Sequence, residues 1–309
     1  MPDLTPDPHE TTGASIEGAL PIAPSLAPSL DAAHMPVDVR PVDGRVAWLC
    51  GLSIAIAIAA GFIAQILTRL IGLITNLAFY GRFSSSFTSP AGNHLGLVVI
   101  VVPVLGGIVV GLMARYGSKA IRGHGIPEAM EQVLTNQSRI PPRITFLKPL
   151  SAAVAIGTGG PFGAEGPIIA TGGALGSLVG QVLHTTAAER KTLLAAGAAA
   201  GMAATFGSPV SAALLAVELL LFELRARSLI PVALAAATAT AVRIALVGTA
   251  PAFQAGDFLP ANAASLACYA LIGALVGVSS VAVTKLVYAI EDAFEKLPVH
   301  WMWWPALGG

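Results

Sequence analysis

The sequence predicts an all-α fold that crosses a membrane several times, with some of its helices broken. Three observations predict it. Several apolar runs reach or exceed about 20 residues, the length a helix needs to span a bilayer. Only 11% of residues are charged against 55% hydrophobic, whereas soluble domains carry about a quarter charged residues. After Pro149 the apolar stretches become short and are cut by clusters of Gly and Pro. With a mean hydropathy of +0.75, the chain has too little polar surface to cover a water-soluble globule, so lipid is the solvent of most of it. Net charge is zero and the basic residues are scattered, which excludes an electrostatic footprint for nucleic acid.

Residues 1–44 are rich in Pro, Ser, Asp and Glu without apolar periodicity and cannot bury enough surface to offset the entropy of ordering. They read as a disordered tail, and residues 45–309 as the membrane domain. The tail opens with Asp3, Asp7 and Glu10 rather than with the basic start of a secretory signal, so it is expected to stay in the cytoplasm. Cys50 and Cys268 lie inside apolar runs and form no disulfide framework or zinc spacing.

The first run, Val46 to about Leu77, carries Gln65, Arg69 and Asn76 in its later part, as a long tilted helix emerging into the interface would. A second goes from Leu95 to Ala114. Between them and the next apolar stretch lie Arg115, Lys119, Arg122, Arg139, Arg143 and Lys148, and short basic loops are retained in the cytoplasm. Shorter stretches follow at 150–156, 168–183, 193–206 and 210–222, then fuller spans at about 229–247 and 264–290. Irregular backbone at membrane depth survives only where protein buries it or a water-filled pathway solvates it, so the cluster Gly157 to Pro167 is where a pathway is sought. One internal repeat is visible: Pro103-Val104-Leu105-Gly106-Gly107 returns as Pro305-Ala306-Leu307-Gly308-Gly309. Transporter folds commonly comprise two inverted units with substrate between them. A unit here would be roughly 200 residues, by the spacing of inverted repeats, so the second copy stops soon after it begins and the chain is expected to be incomplete at its C-terminus.

The segment Gly157-Thr158-Gly159-Gly160-Pro161-Phe162-Gly163-Ala164-Glu165-Gly166-Pro167 holds the chemistry. Its glycines let backbone N–H groups approach a ligand without a Cβ in the way. Pro167 suits the first turn of the helix that follows, and an exposed helix N-terminus offers unpaired donors and about half a positive charge. That describes an anion site. Glu165 is either a carboxylate that occupies the anion's place and leaves it when protonated, or a residue complementing the helix dipole. Gly123-His124-Gly125-Ile126-Pro127-Glu128 is a second Gly-rich helix start. His124 is either a donor to the same anion or an interfacial histidine. Glu218, deep in an apolar run, is either a proton-pathway residue or a paired structural carboxylate, whereas Glu223, Arg225 and Arg227 read as interfacial charges. No H-E-x-x-H, no G-x-S-x-G and no phosphate-loop spacing occurs, so no enzyme is indicated, nor a metal or cofactor.

These residues resemble the CLC family of chloride channels and proton–anion antiporters. Residues 157–167 resemble its G-x-G-x-x-x-G-R-E-G-P pattern, residues 123–128 its G-S-G-I-P-E, and Thr192 to Gly201 through Phe206, Pro209 and Glu218 the segment that follows. The resemblance covers about residues 46–309. It implies a homodimer in the cell membrane, taken as a bacterial inner membrane, with one anion pathway per subunit lined by the N-termini of broken and re-entrant helices. It implies that Glu165 is the gating glutamate, that the backbone from Gly163 through Ala164 and Gly166 to Pro167 lines the outer anion sites, and that His124 with Gly125, Ile126 and Pro127 forms the inner one. Ala164 stands where the pattern has Arg, and His124 where it has Ser. Leu219, next to Glu218, aligns with the internal glutamate of the proton-coupled members. The expected function is passive conduction of chloride or another small anion through a glutamate-gated pathway. Proton-coupled antiport of chloride or fluoride is the alternative within the family, and a non-transporting, truncated or assembly protein the alternative outside it.

Overall fold

The computed structural model describes residues 11–12, 36–37, 42–123, 125–250 and 262–308. Of the N-terminal tail it shows an antiparallel pairing of Thr11–Thr12 with Pro36–Val37, and the expectation of disorder otherwise lies outside the described residues. Everything else with regular structure is helical.

Helix α1 (Gly44–Tyr80) has 37 residues, about 55 Å at 1.5 Å per residue, far longer than the bilayer core of about 30 Å. It begins where the Asp43 carboxylate accepts from the N–H groups of Arg45 and Val46. It ends at Gly81, whose left-handed φ of 62° lets the amides of Gly81 and Arg82 bond back to Leu77 and Asn76, the paired closure that satisfies the last carbonyls of a helix. Helix α2 (Val101–Leu112) is flanked by a 3-10 turn at Gly96–Ile100 and a π turn at Met113–Gly117. The polar stretch expected as a loop contains a helix, α3 (Ile126–Thr135). Its charges had concealed an amphipathic stripe in which Ala129 and Val133, four apart, are both buried.

Helix α4 (Ile144–Gly157) leads into the Gly-rich turn, and α5 (Glu165–Val182), α6 (Ala187–Phe206) and α7 (Pro209–Ala216) follow. Then come a π turn at Val217–Leu221 and α8 (Ala226–Val247). The chain closes with α9 (Ala263–Glu295) and the single turn α10 (Trp304–Gly308). Among the described residues four segments, at 44–80, 96–117, 226–247 and 263–295, are long and apolar enough to cross a membrane. The fold is thus the all-α, polytopic one expected, with short broken helices between full spans.

The core centres on α6, buried almost all round and packed against α1, α5, α7 and α8. Its Ala/Gly composition permits this, because small residues let backbones approach in lipid, where no hydrophobic force drives helices together. Helices α5 and α6 run antiparallel with backbones in contact. A methyl at Gly172 would overlap the Gly197 carbonyl, one at Gly176 the Leu193 carbonyl, and one at Gly201 would lie 2.6 Å from the Ile168 carbonyl oxygen. The two copies of the five-residue repeat also meet: a methyl on Gly107 in α2 would lie 2.6 Å from the Pro305 carbonyl at α10. Helix α9 stands apart, with none of its residues buried, and its Phe294 meets Trp304 edge to face at 6.3 Å.

Charges gather where α1, α6 and α8 begin. Arg45 grips Glu189 through two hydrogen bonds of 2.7 and 3.0 Å, and Glu189 also closes the capping box of α6 with Thr186. Arg227 reaches Asp43 at 3.1 Å. Lys191, 2% exposed, sits 3.5 Å from Glu223, which accepts from the Ser228 hydroxyl at 3.1 Å. Glu223 and Arg227 are therefore buried, at 8% and 6% exposure, rather than lying as free charges at the interface as expected. Pairing is what permits it, since an isolated charge would not be tolerated there.

Two outcomes follow for stability in detergent. Gly176→Ala is expected to cost about 1–3 kcal/mol by overpacking, while Gly51→Ala in α1, with open space around it, leaves thermal unfolding unchanged or slightly raised. Glu223→Leu is expected to cost about 3–5 kcal/mol because it removes the counter-charge of the buried Lys191 ammonium, leaving it the Leu221 carbonyl at 3.3 Å, and the double variant Lys191→Met/Glu223→Leu should recover most of that loss.

Candidate functional site

The turn between α4 and α5 leaves Pro161, Phe162 and Gly163 exposed and the start of α5, from Glu165 to Pro167, half-buried. Gly160 and Phe162 bond within the turn, to the Ala155 and Gly160 carbonyls at 2.9 and 2.8 Å. Gly159 takes φ of 101°, a conformation open to glycine, and its Cα faces the Phe79 ring of α1. Beyond it the N–H groups of Gly163, Ala164, Glu165 and Gly166 have no acceptor among the described residues. The first bond of the helix runs from Ile168 to the Ala164 carbonyl at 3.1 Å. Four consecutive N–H groups without an acceptor thus sit at the positive end of an 18-residue helix, a combination that suits an anion.

Glu165 is the first residue of α5. Its side chain turns back so that the carboxylate lies over Gly163, in the space a Cβ there would fill. The side chain is half-buried, with no hydrogen-bond or ion-pair partner among the described residues. Ala164 packs against the apolar core, so no cation comes from the position where the family pattern has Arg.

The start of α3 meets the start of α5. Gly125, with φ of 105°, is buried with its Cα against the carbonyl of Gly166, and a Cβ there would also lie 3.1 Å from the Ala170 methyl. The structure thus brings together the two glycine motifs, 40 residues apart in sequence between Gly125 and Glu165. One expected donor is already used: the Gly125 N–H bonds to the Glu128 carboxylate. The Ile126 N–H has no acceptor among the described residues, and Pro127 is exposed. His124 lies outside the described residues. The rear of α3 is anchored as well, since Ser177 and Gln181 of α5 bond the strap at Ser138 and Ile140, and Arg190 of α6 donates to the Gln137 carbonyl at 2.9 Å.

Ile126, Ile169, Met202, Leu215 and Leu219 line a small apolar cavity behind the two helix starts. Glu218 is exposed and does not line it. The site and its nearest carboxylate are therefore separate from Glu218, and Leu219 faces the cavity in its place. One residue near the site was missed by sequence reading. Lys148, expected as a loop charge, lies on α4, is 4% exposed, and donates to the carbonyls of Ile121 and Gly123 at 2.9 and 2.8 Å. The signal available was a lone lysine between Leu147 and Pro149 in an otherwise apolar stretch.

The pattern described as Voltage gated chloride channel matches residues 105–309. A chloride channel protein CLC-f of Arabidopsis thaliana is 31% identical over 227 residues, which is 68% of this chain and 28% of that protein. An H(+)/Cl(-) exchange transporter ClcA of Vibrio vulnificus is 33% identical over 193 residues, covering 60% of this chain and 40% of the relative. The chain therefore spans less than half the length of either. Among solved structures, a slow cyanobacterial Cl-/H+ antiporter superposes with a TM-score of 0.69 at 20% identity, over 84% of this chain and 61% of the other, so the helical arrangement is shared. With the pattern match covering most of the membrane domain, the chain belongs to the voltage-gated chloride channel, or CLC, family.

Proposed function

We propose that this protein conducts small anions passively across a membrane, with the anion held at the convergent starts of α3 and α5 and with Glu165 as the gate. One observation carries the reading: the Glu165 carboxylate folds back over Gly163, at a helix start where the N–H groups of Gly163, Ala164, Glu165 and Gly166 have no acceptor among the described residues. An anion and that carboxylate would compete for the same donors, so the pathway is closed when the carboxylate is charged and seated, and opens when it is protonated or displaced. Chloride is the anion named for the relatives. A homodimer in lipid follows the family pattern, and the exposed Val210 and Leu214 on α7 with Ile230 and Leu234 on α8 offer an apolar face for it. The N-terminus is assigned to the cytoplasm by the basic segment 115–148.

Proton-coupled exchange is the second reading, supported by relatives named as exchangers. An internal proton relay needs an ionisable group reaching the cavity from the other side, and Leu219 there cannot titrate, while Glu218 is exposed. Passive conduction is therefore preferred.

Chloride efflux from proteoliposomes is the test of the gate. Wild-type efflux should rise as pH falls, because a protonated carboxylate no longer competes for the donors, whereas Glu165→Gln should be fast and flat with pH. Absence of flux in both would set aside transport by this chain. A Gln variant with the wild-type pH dependence would leave Glu165 as a helix cap. A separate measurement addresses coupling: a chloride gradient should drive no proton uptake, and chloride-driven proton uptake sensitive to Glu218→Gln would establish exchange instead.

A further inference from the structure

Where α2 ends and α10 begins, three cations stand among aromatic rings, and the proposed anion site uses none of them. Arg115, Lys119 and Arg122 follow one another closely in the chain and all are exposed. The Arg122 guanidinium lies over the Trp301 ring at 4.8 Å, within the range at which a cation is attracted to an aromatic face. Arg115 donates to the buried Met302 sulfur at 3.7 Å, and its guanidinium is 5.5 Å from the Tyr116 ring centre. Gly111 permits this approach, because a methyl there would overlap the Met302 carbonyl. Two cations from the end of α2 are thus fixed against consecutive residues, 301 and 302, of the turn that leads into α10. Among the described residues no carboxylate comes within ion-pair reach of any of the three. Glu291, Asp292 and Glu295, on the last turns of α9, are exposed and pair with none of them.

The patch lies at the level where spanning segments end. The segment 96–117 stops at Gly117 and the segment 263–295 at Glu295, and Phe294 of the latter meets Trp304. Tyr116 and Trp303 are exposed close to the cations, and phenol and indole rings favour the boundary between lipid tails and water. Leu105, Val109 and Leu112 are exposed as well. Spaced three or four residues apart, they make one apolar stripe along α2 that leads to Tyr116. A soluble polyanion or an acidic peptide would match the cations and leave rings and stripe unmatched. A phospholipid matches all three, with its phosphate at the cations, its glycerol region at the rings and an acyl chain on the stripe. Basic groups just beyond a spanning helix attract anionic lipid, and a guanidinium can give two parallel N–H bonds to one phosphate.

We propose that Arg115, Lys119 and Arg122, with Tyr116, Trp301 and Trp303, form a binding site for the headgroup of one anionic phospholipid, whose acyl chain lies along the exposed stripe of α2. The ligand class is a phosphodiester lipid with net negative charge, for which phosphatidylglycerol is the probe. The inference rests on the membrane placement of the chain and is independent of the anion pathway proposed above.

The test reads quenching of tryptophan fluorescence by brominated lipids in the full chain carrying Trp48→Phe, so that the signal comes from Trp301, Trp303 and Trp304. Dibrominated phosphatidylglycerol is titrated against dibrominated phosphatidylcholine in reconstituted bilayers. A preference for phosphatidylglycerol of about fivefold or more is expected, the factor that one cation near the surface supplies. The triple variant Arg115→Gln/Lys119→Gln/Arg122→Gln should bring the two lipids to within about twofold of each other, while Arg82→Gln, beyond the opposite end of α1, should keep the preference. Should the triple variant fail to fold, Lys119→Gln decides, since its side chain makes no hydrogen bond or ion pair among the described residues, and the preference should fall about threefold. Equal quenching by the two lipids in the Trp48→Phe chain, or an unchanged preference in the folded triple or Lys119→Gln variant, would overturn the proposal. A second arm separates a lipid from a free phosphate. Excess inorganic phosphate at constant ionic strength should leave the ratio unchanged, and its loss would mark a site for a soluble anion instead.

Discussion

Backbone contact between α5 and α6 is the constraint from which the rest of the architecture follows. In lipid, apolar side chains gain nothing by leaving their surroundings for one another, so helices associate through close packing and polar contacts. Gly172 and Gly176 on α5 face the carbonyls of Gly197 and Leu193 on α6, and only glycine leaves the space for carbonyl oxygens to come that near, while Gly180 makes room for the Arg190 side chain. This antiparallel lock places the C-terminal end of α5 beside the N-terminal end of α6. The start of α5 lies at the opposite end from the ion pairs, half-buried, and an unsatisfied helix start cannot be left against hydrocarbon.

The second level of organisation is electrostatic. The ends of α1, α6 and α8 that share one side of the molecule are joined by Arg45 with Glu189, Arg227 with Asp43 and Lys191 with Glu223. Each pair links two segments distant in sequence, so the charges act as connectors between helices that otherwise touch through Ala and Gly. Around Glu165 no comparable pairing occurs among the described residues, while near the α3 start Lys148 donates to the Ile121 and Gly123 carbonyls and Glu128 accepts from the Gly125 N–H. Contact between the two copies of the Pro-x-Leu-Gly-Gly motif, with Gly107 against Pro305, joins the opening of a second repeat to the first at α2.

How much of this was legible in the sequence differs from residue to residue. The spans at 44–80, 226–247 and 263–295 could be read because length and apolarity alone decide whether a helix can cross a bilayer. The turn at 157–167 was legible because Gly and Pro have few uses at membrane depth. Helix α3 was partly hidden, since Glu128, Glu131 and Gln132 dilute its apolar stripe and its length of ten residues gives a periodicity too few turns to show. Glu223 and Arg227 read as surface charges because composition carries no information about a partner such as Lys191, 32 positions earlier, or Asp43, 184 positions earlier. Lys148 was hidden for the same reason: its acceptors are backbone carbonyls, which every residue has.

By itself, the sequence determined that the protein lives in lipid, that its helices are broken around two glycine motifs, and that a lone carboxylate stands at the start of one of them. These properties are local, fixed by the transfer energies and backbone preferences of residues within one segment. Only the tertiary structure decided that the two helix starts converge, that the Glu165 carboxylate folds back over Gly163, that Leu219 rather than Glu218 faces the cavity, and that Lys148 is buried beneath the α3 start. Each of those depends on how the helices rotate and slide against one another, and that is set by close packing of small residues across segments far apart in the chain, which no single segment encodes.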